Sequence, residues 1–173
     1  KLLLKDVYPF ITELDLKKIL LENRQKKKCF SQAYSGYQFG HFTNLGDGRA
    51  MIIGEHLLKN NQRVDVQLKG CGITKYSRSG DGKATLRSML KEYIISEAIH
   101  YLKIPTSRSL AVFKTGEKIN RENLNDGAVL ARIMNSHIRV GTFEYAAFFG
   151  NINYLNSLTN HTVSYTHLRA HET

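Results

Sequence analysis

At 173 residues, with 42% hydrophobic and 10% aromatic side chains, the chain is long enough to bury a core and too apolar for a disordered tail. Twenty-five Lys and Arg against fifteen Asp and Glu give a formal charge of +10, which favours an anionic partner: nucleotide phosphate, nucleic acid, an acidic protein or a membrane surface. Cys29 and Cys71 are isolated thiols without C-x-x-C spacing, the histidines are scattered, and no apolar run approaches the roughly 18 residues that span a bilayer, which argues against a disulfide scaffold, a His-based metal site and a membrane helix.

Lys1 is followed only by Leu2, Leu3 and Leu4, too short for a signal peptide, and without an initiator Met the chain reads as beginning mid-protein. Residues 13–27 carry Leu14, Ile19, Leu20 and Leu21 among charges and predict a short amphipathic helix, with Arg24 and Lys26 to Lys28 as its solvated end. The aromatic and glycine-rich residues 34–42 read as a packed turn. It feeds the first copy of a repeated pentapeptide, Gly46-Asp47-Gly48-Arg49-Ala50. A strand is predicted over residues 50–54, a turn at Asn60 and Asn61, and a second strand over residues 63–69. That strand alternates, with Val64, Val66 and Leu68 on one face and Asp65, Gln67 and Lys69 on a polar one.

A basic loop through Tyr76, Ser77 and Arg78 leads to the second copy, Gly80-Asp81-Gly82-Lys83-Ala84. From about residue 83 to 102, the spacing of Leu86, Met89, Leu90, Tyr93, Ile94, Ala98 and Tyr101 predicts a helix with one buried stripe, closed by Pro105. Strands over residues 109–114 and 128–134 follow, separated by a polar segment around Gly116 and residues 123–127; helical spacing resumes near Phe143. The order predicts an α+β fold, a small sheet with a long helix packed on it. Only the pentapeptide recurs, which excludes a solenoid.

Two glycines around an acid, with a trailing cation, let backbone N–H groups and a positive side chain converge on an anion. A nucleotide site also needs a fixed cation. Lys69 at a strand end is the candidate, with Glu92 of the long helix as its ion-pair partner, the pairing that protein kinases use. Each feature alone has a local explanation: Gly-Asp-Gly favours turns, and a strand-end Lys, a helix Glu, Arg132 and Arg139 are by default solvated.

The ordered set goes further. Residues 34–42 with Leu45 to Ala50, then Gln67-Leu68-Lys69-Gly70, Tyr76 to Gly82, Leu86-Arg87-Ser88, Glu92, Ser96-Glu97-Ala98 and Ile104-Pro105-Thr106 resemble the SelO (YdiU) family of pseudokinase-like protein adenylyltransferases, over about residues 6–155. The resemblance implies a protein-kinase-like amino-terminal lobe. It also implies an enzyme that binds ATP flipped relative to kinases and transfers AMP to Ser, Thr or Tyr hydroxyls of proteins, with Mg2+ or Mn2+. On that analogy Gly46, Gly48 and Arg49 form the nucleotide loop, Lys69 contacts phosphate, Glu92 holds Lys69, Asp81 and Gly82 line the nucleotide pocket, and Arg132 and Arg139 grip the outer phosphate.

Two departures stand out. Lys83 replaces the family's usual Arg, and the catalytic Asp, with the Asn and Asp that hold metal, is expected downstream of the residues present. Residues 1–162 are therefore expected to be a nucleotide-binding part, truncated before the catalytic loop and inactive alone. Residues 163–173 have no recognised counterpart and are expected to be a non-native, unstructured tail. A cytoplasmic location is expected for a bacterial source and a mitochondrial one for a eukaryotic source, with neither nucleic acid nor membrane as partner. The alternatives are ordinary kinase-like phosphoryl transfer and a basic RNA-binding module, the latter suggested by the charge and by aromatics interleaved with glycine.

Overall fold

The computed structural model describes Lys18, residues 29–38 and residues 40–170, with residues 165–170 as backbone only. The helix expected over residues 13–27 and its basic end lie outside the described residues, apart from Lys18, which is helical. The chain divides into two compact units, residues 1–31 with 47–137 and residues 32–46 with 138–173.

The first unit is an antiparallel sheet of β3 (Ala50–Leu57), β4 (Arg63–Lys69), β5 (Ala84–Thr85), β6 (Arg108–Asn120) and β7 (Leu124–Met134), with α1 (Leu86–Tyr101) packed on it. The two predicted strands after the helix extend further than their apolar cores. The polar segment between them continues the ladder as a long hairpin, from Lys114 opposite Ala128 to Asn120 opposite Leu124. Strand β7 is central: β4 and then β5 pair along one edge and β6 along the other. Asn61, at φ 62°, turns β3 into β4 where the two asparagines predict it.

Apolar side chains line both faces of the sheet. Ile53, Val64, Val66, Leu68, Leu110, Val129, Ala131 and Ile133 form one apolar layer. Ala84, Met89, Ala128 and Leu130 form the other, beneath α1, with Leu86, Tyr93 and Val112 around them. The alternation of β4 holds, with Val64, Val66 and Leu68 in the first layer. Its other face is not solvated, however: Asp65 and Gln67 are buried too, and the Asp65 carboxylate accepts the His137 N–H at 3.0 Å. Leu68, Met89 and Leu130 are fully buried, each contributing about 1.5–3 kcal/mol by area.

Helix α1 begins at a Thr85 cap whose hydroxyl accepts the Ser88 N–H and ends at Tyr101, after which Lys103 turns left-handed at φ 64° two residues before Pro105. Its inward face differs from the predicted stripe. Met89 and Ser96 are buried, whereas Leu90, Ile94, Ala98 and Tyr101 are exposed. Polar contacts set this rotation: Ser96 Oγ lies 2.7 Å from Ser109 Oγ, and Glu97 grips Arg108 of β6 with two bonds of 2.9 and 2.7 Å. Periodicity of apolar residues cannot register such partners.

The second unit holds the hairpin of β1 (Ser35–Gln38) and β2 (His41–Asn44), with α2 (Val140–Phe149) and α3 (Ile152–Ala170). The aromatic and glycine-rich stretch is thus a hairpin, not a turn. Phe42 stacks on Phe148 of α2 at 4.8 Å. A Cβ on Gly141 would sit 2.2 Å from the Ser35 carbonyl oxygen, so only glycine lets α2 approach β1 this closely. Residues 163–170, expected to be unstructured, continue α3; residues 171–173 lie outside the described residues. No described helix is long and apolar enough to cross a membrane.

Candidate functional site

Strand register assembles the centre of the first unit. Ala50 pairs with Lys69, Lys69 with Leu130, and Gln67 with Arg132, so Lys69 and Arg132 project from the face that carries α1. The Gly70 N–H donates to the Arg49 carbonyl at 2.7 Å, fixing Arg49 beside the end of β4. Gly70 is required here: at φ 87°, a Cβ would lie 2.6 Å from the Ala84 Cβ and 2.8 Å from the Ala128 carbonyl. The chain can therefore leave Lys69 and return as β5 alongside β7.

Met89 and Tyr93, anchored in the layer beneath α1, place Glu92 over these cations. Glu92 Oε2 accepts from Lys69 Nζ at 2.9 Å and from an Arg132 terminal nitrogen, and Glu92 Oε1 lies 3.7 Å from Arg49. Lys69, Glu92 and Arg132 keep only 22%, 25% and 19% side-chain exposure, against 45% for Arg49. Among the described residues, three cations share one carboxylate, and the Arg132 Nε is buried without a partner. Burial pushes the Lys69 ammonium below its ordinary 10.5 despite the Glu92 bond; Arg132 and Arg49 add to the lowering. A cation cluster with this surplus can hold an anion, and a planar guanidinium suits two phosphate oxygens.

The first Gly-Asp-Gly is tied down by its neighbours. Gly46 belongs to the second unit, where its N–H and that of Leu45 both donate to the Tyr34 carbonyl. Asp47 and Gly48 belong to the first unit; their carbonyls accept from the Thr74 and Ser77 hydroxyls. A Cβ on Gly48 would meet the Tyr76 carbonyl at 2.8 Å. Arg139, the residue before α2, belongs to the second unit, with its guanidinium 4.3 Å from the Tyr34 ring. The structure thus brings together Arg49, Lys69, Glu92 and Arg132 of the candidates.

The second Gly-Asp-Gly occupies a different place in the same unit. Gly82 sits at φ 65°, and a Cβ there would fall 2.0 Å from the Gly72 carbonyl oxygen. Asp81 accepts from the Lys83 N–H at 2.9 Å and from Arg121 at 2.7 Å, and the Arg121 bond chiefly holds its carboxyl below the ordinary range. Nothing in the sequence points to Arg121, which lies 40 residues from Asp81 in a polar segment. The doubly bonded role of Glu92 was also missed: the sequence suggests one partner, Lys69, and only the β4–β7 register adds Arg132.

An open cleft of about 360 Å³ adjoins the cluster at Glu92 and Arg132 and is otherwise lined by Lys91, Ile95, Ser96, Ile99 and Thr106. Among the described residues, no three His, Cys, Asp or Glu side chains converge to hold a metal ion. The residues at hand therefore fit a polyphosphate and do not by themselves fit Mg2+, which needs oxygen ligands.

The arrangement is that of an α+β lobe in which a strand lysine is held by a helix glutamate, as in the amino-terminal lobe of protein kinases. The family model described as "Protein adenylyltransferase SelO" matches residues 8–173, and the chain belongs to that family. Three curated relatives, each called "Protein nucleotidyltransferase YdiU", agree. The protein of Pelagibacter ubique (strain HTCC1062) is 57% identical over 155 residues, covering 88% of this chain and 32% of its own length. That of Clostridium perfringens (strain SM101 / Type A) is 62% identical over 133 residues, 77% of this chain and 27% of its own. That of Clostridium botulinum (strain Okra / Type B1) is 53% identical over 168 residues, 90% of this chain and 34% of its own. The chain spans about a third of the length of these relatives. Nucleotidyl transfer is thus the chemistry of the family.

Proposed function

We propose that the protein to which this chain belongs is an ATP-dependent protein adenylyltransferase, in which these residues bind the triphosphate. One observation carries the reading: Glu92 holds Lys69 and Arg132 side by side, with Arg49 next to them, and among the described residues this single carboxylate faces three cations. A pre-positioned set of cations costs no reorganisation when polyphosphate arrives. Gly48 would add a close backbone approach, and Asp81 and Gly82 a wall of the pocket; for Arg139 and Gly46 of the second unit, the phosphate and loop roles rest on the family resemblance alone.

In the reaction, a Ser, Thr or Tyr hydroxyl of a protein substrate attacks the α-phosphorus of ATP. The bond from that phosphorus to the bridging oxygen of the β-phosphate breaks, and pyrophosphate leaves with the electron pair. The cation cluster acts on the departing phosphates, where negative charge grows. The hydroxyl proton must go to a base that these residues do not supply, an Asp expected further along the protein. Mg2+ or Mn2+, when bound, would neutralise further phosphate charge. Without that base, this chain by itself is expected to bind nucleotide and transfer nothing.

The test is the fate of label. With the full-length protein, ATP labelled on the α-phosphate should mark protein substrates and ATP labelled on the γ-phosphate should not. Label from the γ position would instead establish kinase-type phosphoryl transfer.

A further inference from the structure

The acid and the cation of the second Gly-Asp-Gly are both engaged by the hairpin of β6 and β7, as two nested pairs of opposite polarity. Asp81 takes the Arg121 guanidinium at 2.7 Å, while Lys83 Nζ reaches Glu117 Oε2 at 2.7 Å. Arg121 is itself built into the hairpin end: its N–H donates to the Asn123 carbonyl at 3.1 Å and its guanidinium to the Asn120 carbonyl at 2.8 Å. The same guanidinium approaches the Lys83 carbonyl at 3.4 Å. Between these two anchored residues stands Gly82, left-handed at φ 65°, whose carbonyl accepts the Gly72 N–H at 3.1 Å. The loop is therefore fixed at three consecutive residues.

Stability does not account for this pattern. The side chains of Arg121 and Asp81 keep 43% and 41% exposure, and exposed ion pairs add little to folding. What two nested pairs of opposite polarity do define is position, because a two-residue slip of the loop would set like charges opposite each other.

We propose that Arg121, assisted by Glu117, is a positioning residue for nucleotide. It holds the Asp81 carboxylate and the Gly82 backbone at one place and angle, so that the hairpin end sets the affinity for ATP without touching it. The proposal rests on the reading of Asp81 and Gly82 as a wall of the nucleotide pocket. It makes the loop sensitive to ionic strength, since both pairs are open to screening.

The experiment measures KM and kcat for ATP by α-phosphate label transfer in the full-length protein. The variants are Arg121→Ala, Arg121→Lys and Glu117→Gln. Arg63→Ala serves as control because it removes another exposed pair, with Glu55 at 3.3 Å on β3 and β4. Arg121→Ala should raise KM about fivefold, less than the loss of a direct phosphate contact because Arg121 does not touch ATP, with kcat within about twofold. Arg121→Lys should recover part of the loss, Glu117→Gln should raise KM less, Arg63→Ala should leave KM alone, and the thermal midpoint should stay put in all four. An unchanged KM in Arg121→Ala overturns the proposal, as does a joint fall of kcat and thermal midpoint that Arg121→Lys does not relieve. If Arg121→Ala fails to fold, Arg121→Lys and Glu117→Gln decide by the same split between KM and kcat. A wild-type protein that takes no α-label overturns the adenylyl reading and this proposal together; a labelled wild type with unaffected variants overturns this proposal alone.

Discussion

Lys69 Nζ lies 2.9 Å from Glu92 Oε2, across 23 residues that contain a loop, a two-residue strand and half of a helix. Because the same carboxylate also binds Arg132, Glu92 acts less as the partner of one lysine than as a hub that keeps mutually repelling cations together. Its role in the absence of nucleotide is to balance charge. With nucleotide present it would share that role with phosphate.

Glu92→Gln keeps the shape of the side chain and removes the charge. Lys69 and Arg132, each about four-fifths covered, would lose their shared counter-ion, so the folded state should lose about 2 kcal/mol. Thermal or urea unfolding of the full-length protein measures this loss, and saturating ATP should restore part of it, since phosphate supplies the missing negative charge.

Lys69 gives a pH signature of defined sign. Burial lowers its folded-state value below 10.5, so between that lowered value and 10.5 the unfolded chain holds more protons than the folded one. Stability contributed by this group therefore rises with pH across that window, the reverse of a lysine that gains more from its partner than it loses to burial. Lys69→Met should remove the rise. The check is the difference in unfolding free energy between wild type and variant at several alkaline pH values up to 10.5.

Gly82 and Gly116 both have positive φ, yet they should respond differently to alanine. At Gly82 the new methyl would fall 2.0 Å from a carbonyl oxygen of Gly72, whereas at Gly116 nothing lies within 4 Å. Gly116→Ala should cost about 1 kcal/mol for the left-handed backbone alone. Gly82→Ala should cost about 3 kcal/mol or more, because backbone has to move as well. Urea midpoints of the two variants measure the difference.

Much of the fold could be read from the chain because its signals are local. The β4 strand from Arg63 to Lys69, the Asn60 and Asn61 turn and the long helix follow from alternation, turn chemistry and spacing. What could not be read depends on partners distant in sequence. The helix turned a different face inward because Ser96 and Glu97 found Ser109 and Arg108, and Asp65 was buried because His137, 72 residues on, donates its N–H to the carboxylate at 3.0 Å. The lysine and glutamate of the site were legible through a known pairing. Arg49 and Arg132 as additional partners of Glu92 were not, since only strand register brings them there.

The central claim is that the cations around Glu92 bind the phosphates of ATP, and Lys69→Ala tests it most directly. The measurement is the dissociation constant of ATP for the full-length wild type and for this variant, with folding of both verified by circular dichroism. The account predicts a loss of affinity of about tenfold or more, the scale of one charge-assisted contact to phosphate. An unchanged dissociation constant in a folded Lys69→Ala protein would contradict it, and would leave the cluster a structural feature of the lobe.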